Sequence, residues 1–331
     1  MDNAKAQLLA WASEGASTEN PDQLLGDGYT GVKTFDDPNT GFHAEVYRKD
    51  GTNEYIVAFT GTQNWQDVAA DIALGRPQWE ENKFNVINYL NERGATEIDF
   101  TGRSLGGGLA QYAAYDYLKI AQENNITPAD VSLATYNAFG GMAGLEQMYG
   151  NIDSNLTSQI DGIHFFTESS SGSDDAISRV GEGHIGGDVY KVQMTEDVGM
   201  GAIHQAWKLG YFFDVDISQC VKTTPDYLQI SGAQQMAALV AFYGDDGKFN
   251  NNEAFFRAAA GVLISLDLAP ADQVDQVIDA WHPEFSIMDW GLVRDSLPLP
   301  VRAAVAILGM DCWVAAGETK IGVRPQHETR W

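Results

Sequence analysis

Along the first two thirds of the chain the apolar positions alternate with a period of two, switch to a period near 3.6, and switch back. The segments FHAEVYR and EYIVAFT flank the turn Lys49-Asp50-Gly51-Thr52-Asn53 and predict a β-hairpin. Over 78–92, Trp79, Phe84, Ile87 and Leu90 fall on one side of a helix. EIDFTG (97–102) predicts a short strand running directly into Ser104, and Leu109, Ala113, Tyr117 and Ile120 then recur at helical spacing. SLATYNAF (132–139), GIHFFTE (162–168) and DVYKVQM (188–194) predict further strands, separated by loops rich in Gly, Ser and Asn. Strands alternating with helices predict an α/β fold with a mainly parallel central sheet and helices on both faces.

Past about residue 215 the strand signals fade, and 232–243, 253–266, 271–280 and 301–316 read as helices. The chain is therefore expected to divide into an α/β unit over 1–213 and a mostly helical region over 214–331, with no internal repeat. The most apolar of these helices, 301–316, is broken by Arg302 and Asp311 and is too short to span a bilayer. The opening segment MDNAKAQLLAWASEGA has one lysine and a short apolar run, which is not the pattern of a cleavable signal peptide. The expectation is export by a leaderless route or, alternatively, a cytoplasmic location.

Composition narrows the function classes. With 331 residues, 44% of them hydrophobic, the chain can bury a large core without metal or disulfide staples. Its 46 acidic and 20 basic side chains give a net charge of −26, which argues against nucleic acid as a partner and against electrostatic docking on anionic membrane. Peripheral contact with a membrane would have to be apolar. Cys220 and Cys312 lie far apart, and nothing in their spacing demands a disulfide. No His-Glu-x-x-His or Cys/His cluster suggests a metal, so no cofactor is expected. The run Gly244-Asp245-Asp246-Gly247-Lys248-Phe249 with Glu253 has the spacing of half a calcium loop. Phe242 and Gly244 would fill its first and third ligand positions, neither with a side-chain oxygen, so it reads as a degenerate loop.

The candidate chemistry centres on Gly102-Arg103-Ser104-Leu105-Gly106. A serine hydroxyl is a poor nucleophile until it is held at an exposed corner, next to a base, with backbone N–H groups aimed at the developing oxyanion. A strand-to-helix turn does this when small residues flank the serine, and the N–H of the following residue, Leu105, supplies one oxyanion donor. A bare Gly-x-Ser-x-Gly is a weak signal; its place between a strand and a helix, followed by Gly107-Gly108, strengthens it. Triad partners should follow in the order acid, then base. Asp174 and Asp175 both qualify as the acid by position, on the loop after GIHFFTE. Of the downstream histidines, His164 reads as a strand residue, and His282 and His327 lie near no motif. His184 and His204 remain as candidates for the base.

Three motifs in order, IVAFTGT (56–62) with Asn64-Trp65-Gln66-Asp67, TGRSLGGGLA (101–110) and LATYNAFG (133–140), resemble the class 3 lipases and among them the bacterial phospholipase-like branch. The resemblance spans about 30–213 and implies an α/β-hydrolase fold. It implies Thr62 as second oxyanion donor, a lid over 63–74 with Trp65 as its lipid-contacting candidate, Asp175 rather than Asp174 as acid, and His204 rather than His184 as base. The implied activity is hydrolysis of lipid carboxylic esters through an acyl-enzyme. The first reading is a phospholipase A1 acting as a secreted bacterial effector, the next a triacylglycerol lipase or esterase. A further reading, separate from the resemblance, has the C-terminal region 214–331, whose role the sequence leaves open, bind a dedicated partner such as a chaperone or inhibitor protein. The sequence departs from the resemblance at Arg103, where that family has His, which bears on local packing or substrate preference. A reading from another class, a catalytically idle hydrolase fold that binds lipid or protein, stays open on sequence alone.

Overall fold

The computed structural model describes residues 1–16, 25–26, 28–61, 75–172, 174–175, 178, 181–196, 203, 206–225 and 227. Thr62, the lid segment 63–74 with Trp65, His204, the loop 244–253, the helices expected beyond residue 231, and Cys312 lie outside the described residues.

Among the described residues eight strands form one sheet: β1 (Tyr29–Asp37), β2 (Phe42–Lys49), β3 (Glu54–Phe59), β4 (Glu97–Arg103), β5 (Asp130–Tyr136), β6 (Ile160–Glu168), β7 (Gly187–Gln193) and β8 (Val221–Thr223). Their order in the sheet is their order in the chain. The expected hairpin is β2–β3, and β1 adds to it antiparallel. Strands β3 to β7 run parallel, and β8 returns antiparallel along β7. The described helices are α1 (Asn3–Gly15), α2 (Arg76–Glu92), α3 (Leu105–Glu123), α4 (Met142–Tyr149) and the single turn α5 (Ser154–Thr157). Residues 215–223 belong to the same unit, because Val215 is buried and β8 pairs with β7; the α/β unit therefore extends past residue 213.

The strand order explains the layering. Each parallel strand is added on the same side of the last, and crossovers between parallel strands are right-handed, so the connecting helices all fall on one face. There Trp79, Val86, Ile87 and Leu90 of α2 and Leu109, Tyr112 and Ala113 of α3 pack on Val57, Phe59, Phe100 and Leu133. Burying each large side chain is worth about 1.5–3 kcal/mol. The opposite face, carrying Ile56, Ala58, Ala134, Tyr136, Ile163 and Phe165, receives no crossover helix among the described residues. It is covered by α1 and by Ile203, Ala206, Phe212 and Val215.

Helix α1 can lie close to the sheet because Ala6, Ala10, Ala12 and Gly15 face it. Its N-cap Asp2 accepts the Lys5 N–H at 2.8 Å. Hydroxyls beneath it donate to its carbonyls: Thr101 to Leu9 at 3.0 Å, Thr60 to Ala16 at 2.8 Å, and Tyr136 to Ala6. At its edge the Lys5 ammonium meets Asp99 at 2.8 Å and Glu97 at 2.6 Å.

Candidate active site

The carboxyl ends of β3, β4, β5 and β6 meet at one rim of the sheet, and the sequence-predicted nucleophile stands there. Ser104 joins β4 to α3 with φ 54° and ψ −127°. A non-glycine residue in this region costs about 1–3 kcal/mol and persists only where its surroundings fix it. Its N–H donates to the Tyr136 carbonyl at 3.1 Å, and its carbonyl accepts the Gly107 N–H at 3.1 Å. The flanking glycines are required by space. A Cβ on Gly102 would sit 2.3 Å from the carbonyl carbon of Gly106, and one on Gly106 would sit 2.2 Å from the Phe59 carbonyl oxygen. Gly107 and Gly108 bring α3 down onto Ala138 and Phe139 in the same way.

Leu105 is the first residue of α3, so its N–H belongs to the turn that has no acceptor within the helix, at the positive end of the helix dipole. This is the arrangement an oxyanion donor needs. Gly61, at the end of β3, passes close by: a Cβ there would lie 3.0 Å from the Arg103 carbonyl oxygen and 3.5 Å from the Ser104 Cβ. Thr62 is the next residue in the chain. Arg103 itself reaches back to Glu14 of α1, Nε to Oε2 at 3.2 Å. Burial lowers its pKa and the Glu14 charge opposes that shift. The departure from the resembling family is thus built into the contact between the elbow and α1.

The two candidate acids, adjacent in sequence, differ in surroundings. Asp175 is 1% exposed; its N–H donates to the Thr167 carbonyl at 2.9 Å. Its Oδ2 accepts the Ser178 hydroxyl at 2.6 Å and the Ser178 N–H at 3.1 Å. Asp174 bridges to Glu168 and is partly exposed.

His184 is held on both ring nitrogens. Nε2 lies 3.0 Å from the Ala138 carbonyl and Nδ1 2.7 Å from the Tyr227 hydroxyl. The carbonyl can only accept, so Nε2 carries the proton and Nδ1 accepts from Tyr227. Burial pulls its pKa down to about 4, although hydrogen bonding to Ala138 and the Asp175 charge act the other way. Its ring lies 4.6 Å from that of His164. His164 is likewise committed, Nδ1 to the Thr135 hydroxyl and Nε2 to the Ile185 carbonyl, both at 2.8 Å. Burial drives its pKa well below the ordinary range.

Two residues that were read only as parts of strands complete the rim. Asn137, fully buried with φ 45°, directly follows β5. Its amide donates to the Ile203 carbonyl at 2.8 Å and to the Thr167 hydroxyl oxygen at 3.0 Å. Its Oδ1 accepts the Thr167 N–H at 2.9 Å. Thr167, on β6, also donates its hydroxyl to the Ile203 carbonyl, at 2.8 Å. Asn137 lies within LATYNAFG, and a polar residue ending an otherwise apolar strand is the sequence signal that marks it.

Residues 12–154 match the family model of a Tle-like phospholipase domain, in the phospholipase-like group. Among solved structures, the mono- and diacylglycerol lipase of Aspergillus oryzae is similar at 17% identity, over 78% of this chain and 96% of that one, with a TM-score of 0.46. A mutant form of MDLA from Penicillium cyclopium is similar at 15% identity, over 67% and 86%, also at 0.46. The lipase of Rhizopus microsporus var. chinensis is similar at 16% identity, over 60% and 76%, at 0.39. None of the curated protein sequences matches the chain. Over residues 12–154 the chain is thus similar to a Tle-like phospholipase domain, in line with the resemblance to the class 3 lipases carried by its motifs.

Proposed function

We propose that this protein hydrolyses carboxylic esters of glycerophospholipids, as a phospholipase A1, through Ser104, His204 and Asp175. The observation that carries the proposal is the strained Ser104 elbow with the Leu105 N–H at the start of α3, inside a phospholipase-like domain. His204 takes the Ser104 hydroxyl proton, and Ser104 Oγ adds to the ester carbonyl carbon. The N–H groups of Leu105 and Thr62 hold the oxyanion. Collapse of the tetrahedral intermediate breaks the ester C–O bond, and the histidine gives its proton to the departing lysophospholipid alcohol. Water, losing a proton to the same histidine, then frees the fatty acid and restores Ser104.

The assignment of His204 over His184 is supported by the occupancy of His184. A base must offer a lone pair to the serine, and the one lone pair of the His184 ring is used by Tyr227. The choice of Asp175 is supported by its burial and by the Ser178 hydroxyl and N–H that donate to its Oδ2.

The test is fatty-acid release from phosphatidylcholine labelled differently on its two acyl chains, beside a triacylglycerol emulsion, for wild type and Ser104→Ala. Release of the sn-1 chain by wild type alone is the expected result. Hydrolysis of the triacylglycerol with phosphatidylcholine untouched would replace the phospholipase reading by a triacylglycerol lipase. Silence on every lipid and on short-chain esters, from folded protein, would overturn ester hydrolysis altogether.

A further inference from the structure

The turn that ends α1 is tied to both strand ends beside the nucleophile. Glu14 Oε2 lies 3.2 Å from Arg103 Nε, and Arg103 directly precedes Ser104. Two residues on, the Ala16 carbonyl accepts the Thr60 hydroxyl at 2.8 Å, and Thr60 directly precedes Gly61. Those strand ends approach each other closely: a Cβ on Gly61 would lie 3.0 Å from the Arg103 carbonyl oxygen and 3.5 Å from the Ser104 Cβ. A third tie runs through Tyr136, whose hydroxyl donates to the Ala6 carbonyl of α1 while its own carbonyl accepts the Ser104 N–H at 3.1 Å. Stability is a poor reason for the ion pair. The Arg103 and Glu14 side chains are 14% and 27% exposed, and the atoms that meet are out of contact with solvent, so the cost of desolvating two charges offsets much of their attraction. A charge pair differs from an apolar contact in being directional.

Resting on the proposed reaction, we propose that Glu14, Arg103 and Thr60 are positioning residues, through which the last turn of α1 sets the Ser104 elbow against the end of β3. They act through the backbone: Arg103 through the peptide that leads into Ser104, Thr60 through the one that leads into Gly61. Ser104 holds a conformation that persists only where its surroundings fix it, and α1 supplies part of that fixing from the face of the sheet opposite α3. Displacement of a nucleophile by about 1 Å costs on the order of 10²-fold in rate.

The test compares four full-length variants: Glu14→Gln, the pair Glu14→Leu with Arg103→Met in one chain, Thr60→Val, and Thr60→Ser. Three readouts are taken on each: kcat and KM on p-nitrophenyl butyrate, the urea unfolding midpoint, and hydrogen exchange of the Ser104 and Gly107 amides, both hydrogen-bonded in the elbow. The paired apolar replacement should keep the urea midpoint near that of wild type. Its kcat should fall roughly 10- to 100-fold with KM changed less than about threefold, and the two elbow amides should exchange faster. Glu14→Gln, which strips the guanidinium of its counter-charge, should show the same loss of kcat together with a lower midpoint. Thr60→Val should lower kcat by roughly tenfold, and Thr60→Ser should recover most of that loss. Should the paired replacement fail to fold, the two Thr60 variants carry the same test. A stable paired replacement with wild-type kcat and wild-type elbow exchange would overturn the inference. So would rate losses that follow the folded fraction while exchange in the folded protein stays unmoved. If wild type is silent on every ester, the hydrolase reading fails; faster elbow exchange in the variants would still establish α1 as the support of Ser104, and unchanged exchange would overturn that as well.

Discussion

Two polar networks sit side by side along β5 and β6, and they end differently. In the first, His164 and His184 use all four ring nitrogens on Thr135, Ile185, Ala138 and Tyr227. In the second, Asn137 and Thr167 direct their donors to the Ile203 carbonyl, in the segment that follows β7, and the Thr167 carbonyl accepts the Asp175 N–H. The imidazoles belong to the first network, and the second, which reaches Asp175 and Ile203, is built from an amide and a hydroxyl. Imidazole at the right place in the chain order is therefore not enough to identify a base; a free lone pair is the deciding property.

The sharpest way to break this contrast is to remove the histidines in turn. His204→Ala should lower kcat on a soluble ester by about 10⁴-fold or more, as Ser104→Ala should, because members of a triad act as a unit. His184→Phe, compared at equal folded concentration, should stay within about tenfold of wild type. If His184→Phe were the inactivating change, the roles of the two networks would be exchanged.

The next largest effect separates the neighbouring carboxylates. Asp175→Asn should cost on the order of 10⁴-fold in kcat, through loss of the charge that orients and stabilises the imidazolium. Asp174→Asn should leave kcat within about threefold, as expected of a partly exposed residue. Comparable losses in both variants would erase the distinction drawn from burial.

Stability comes next. Gly106→Ala would press a Cβ against the Phe59 carbonyl, 2.2 Å away, so either β3 or α3 must shift. A loss of about 1–3 kcal/mol or more in urea unfolding is expected, along with a weaker elbow. A fully stable Gly106→Ala protein would contradict the close approach of helix and sheet.

The smallest effect is a dependence on pH. His184 has a folded pKa of about 4 against an ordinary value of 6.5, so between these limits the unfolded chain binds more protons than the folded one. Its contribution is complete above the unfolded pKa and is lost as pH falls from 6.5 toward 4. The slope approaches about 1.4 kcal/mol per pH unit for one proton. His164 acts in the same direction. Unfolding curves at pH 7 and 5 should therefore lie closer together for His184→Phe than for wild type.

Much of the frame was legible in the sequence, because wherever burial follows a clean period the residues announce their element. Strands β2 to β7 and helices α2 and α3 fall where the pattern places them. Strand β1 escaped notice because Thr30, Lys33, Thr34 and Asp36 make it a polar edge with one buried residue, Phe35. Helix α1 escaped because its contact face is largely alanine, which closes the distance to the sheet without a strong apolar signal. At the site, Ser104 was readable from its glycines, since sterics at a sharp turn leave few alternatives. Asn137 and Thr167 were not, because their role depends on residue 203 returning to within hydrogen-bond reach, and no local pattern encodes a contact across 66 or 36 positions.

The face of the sheet without crossover helices has a consequence for biosynthesis. As the chain emerges from the ribosome, Ile56, Ala58, Tyr136 and Phe165 can be covered on one side by α1, but the cover remains incomplete until Ile203, Ala206, Phe212 and Val215 arrive. That late stretch is also the one to which the proposed base belongs. A nascent or truncated chain would carry Ser104 at its elbow yet lack both the seal of its second core and the proposed base. Maturation of the fold and onset of chemistry would then be a single event.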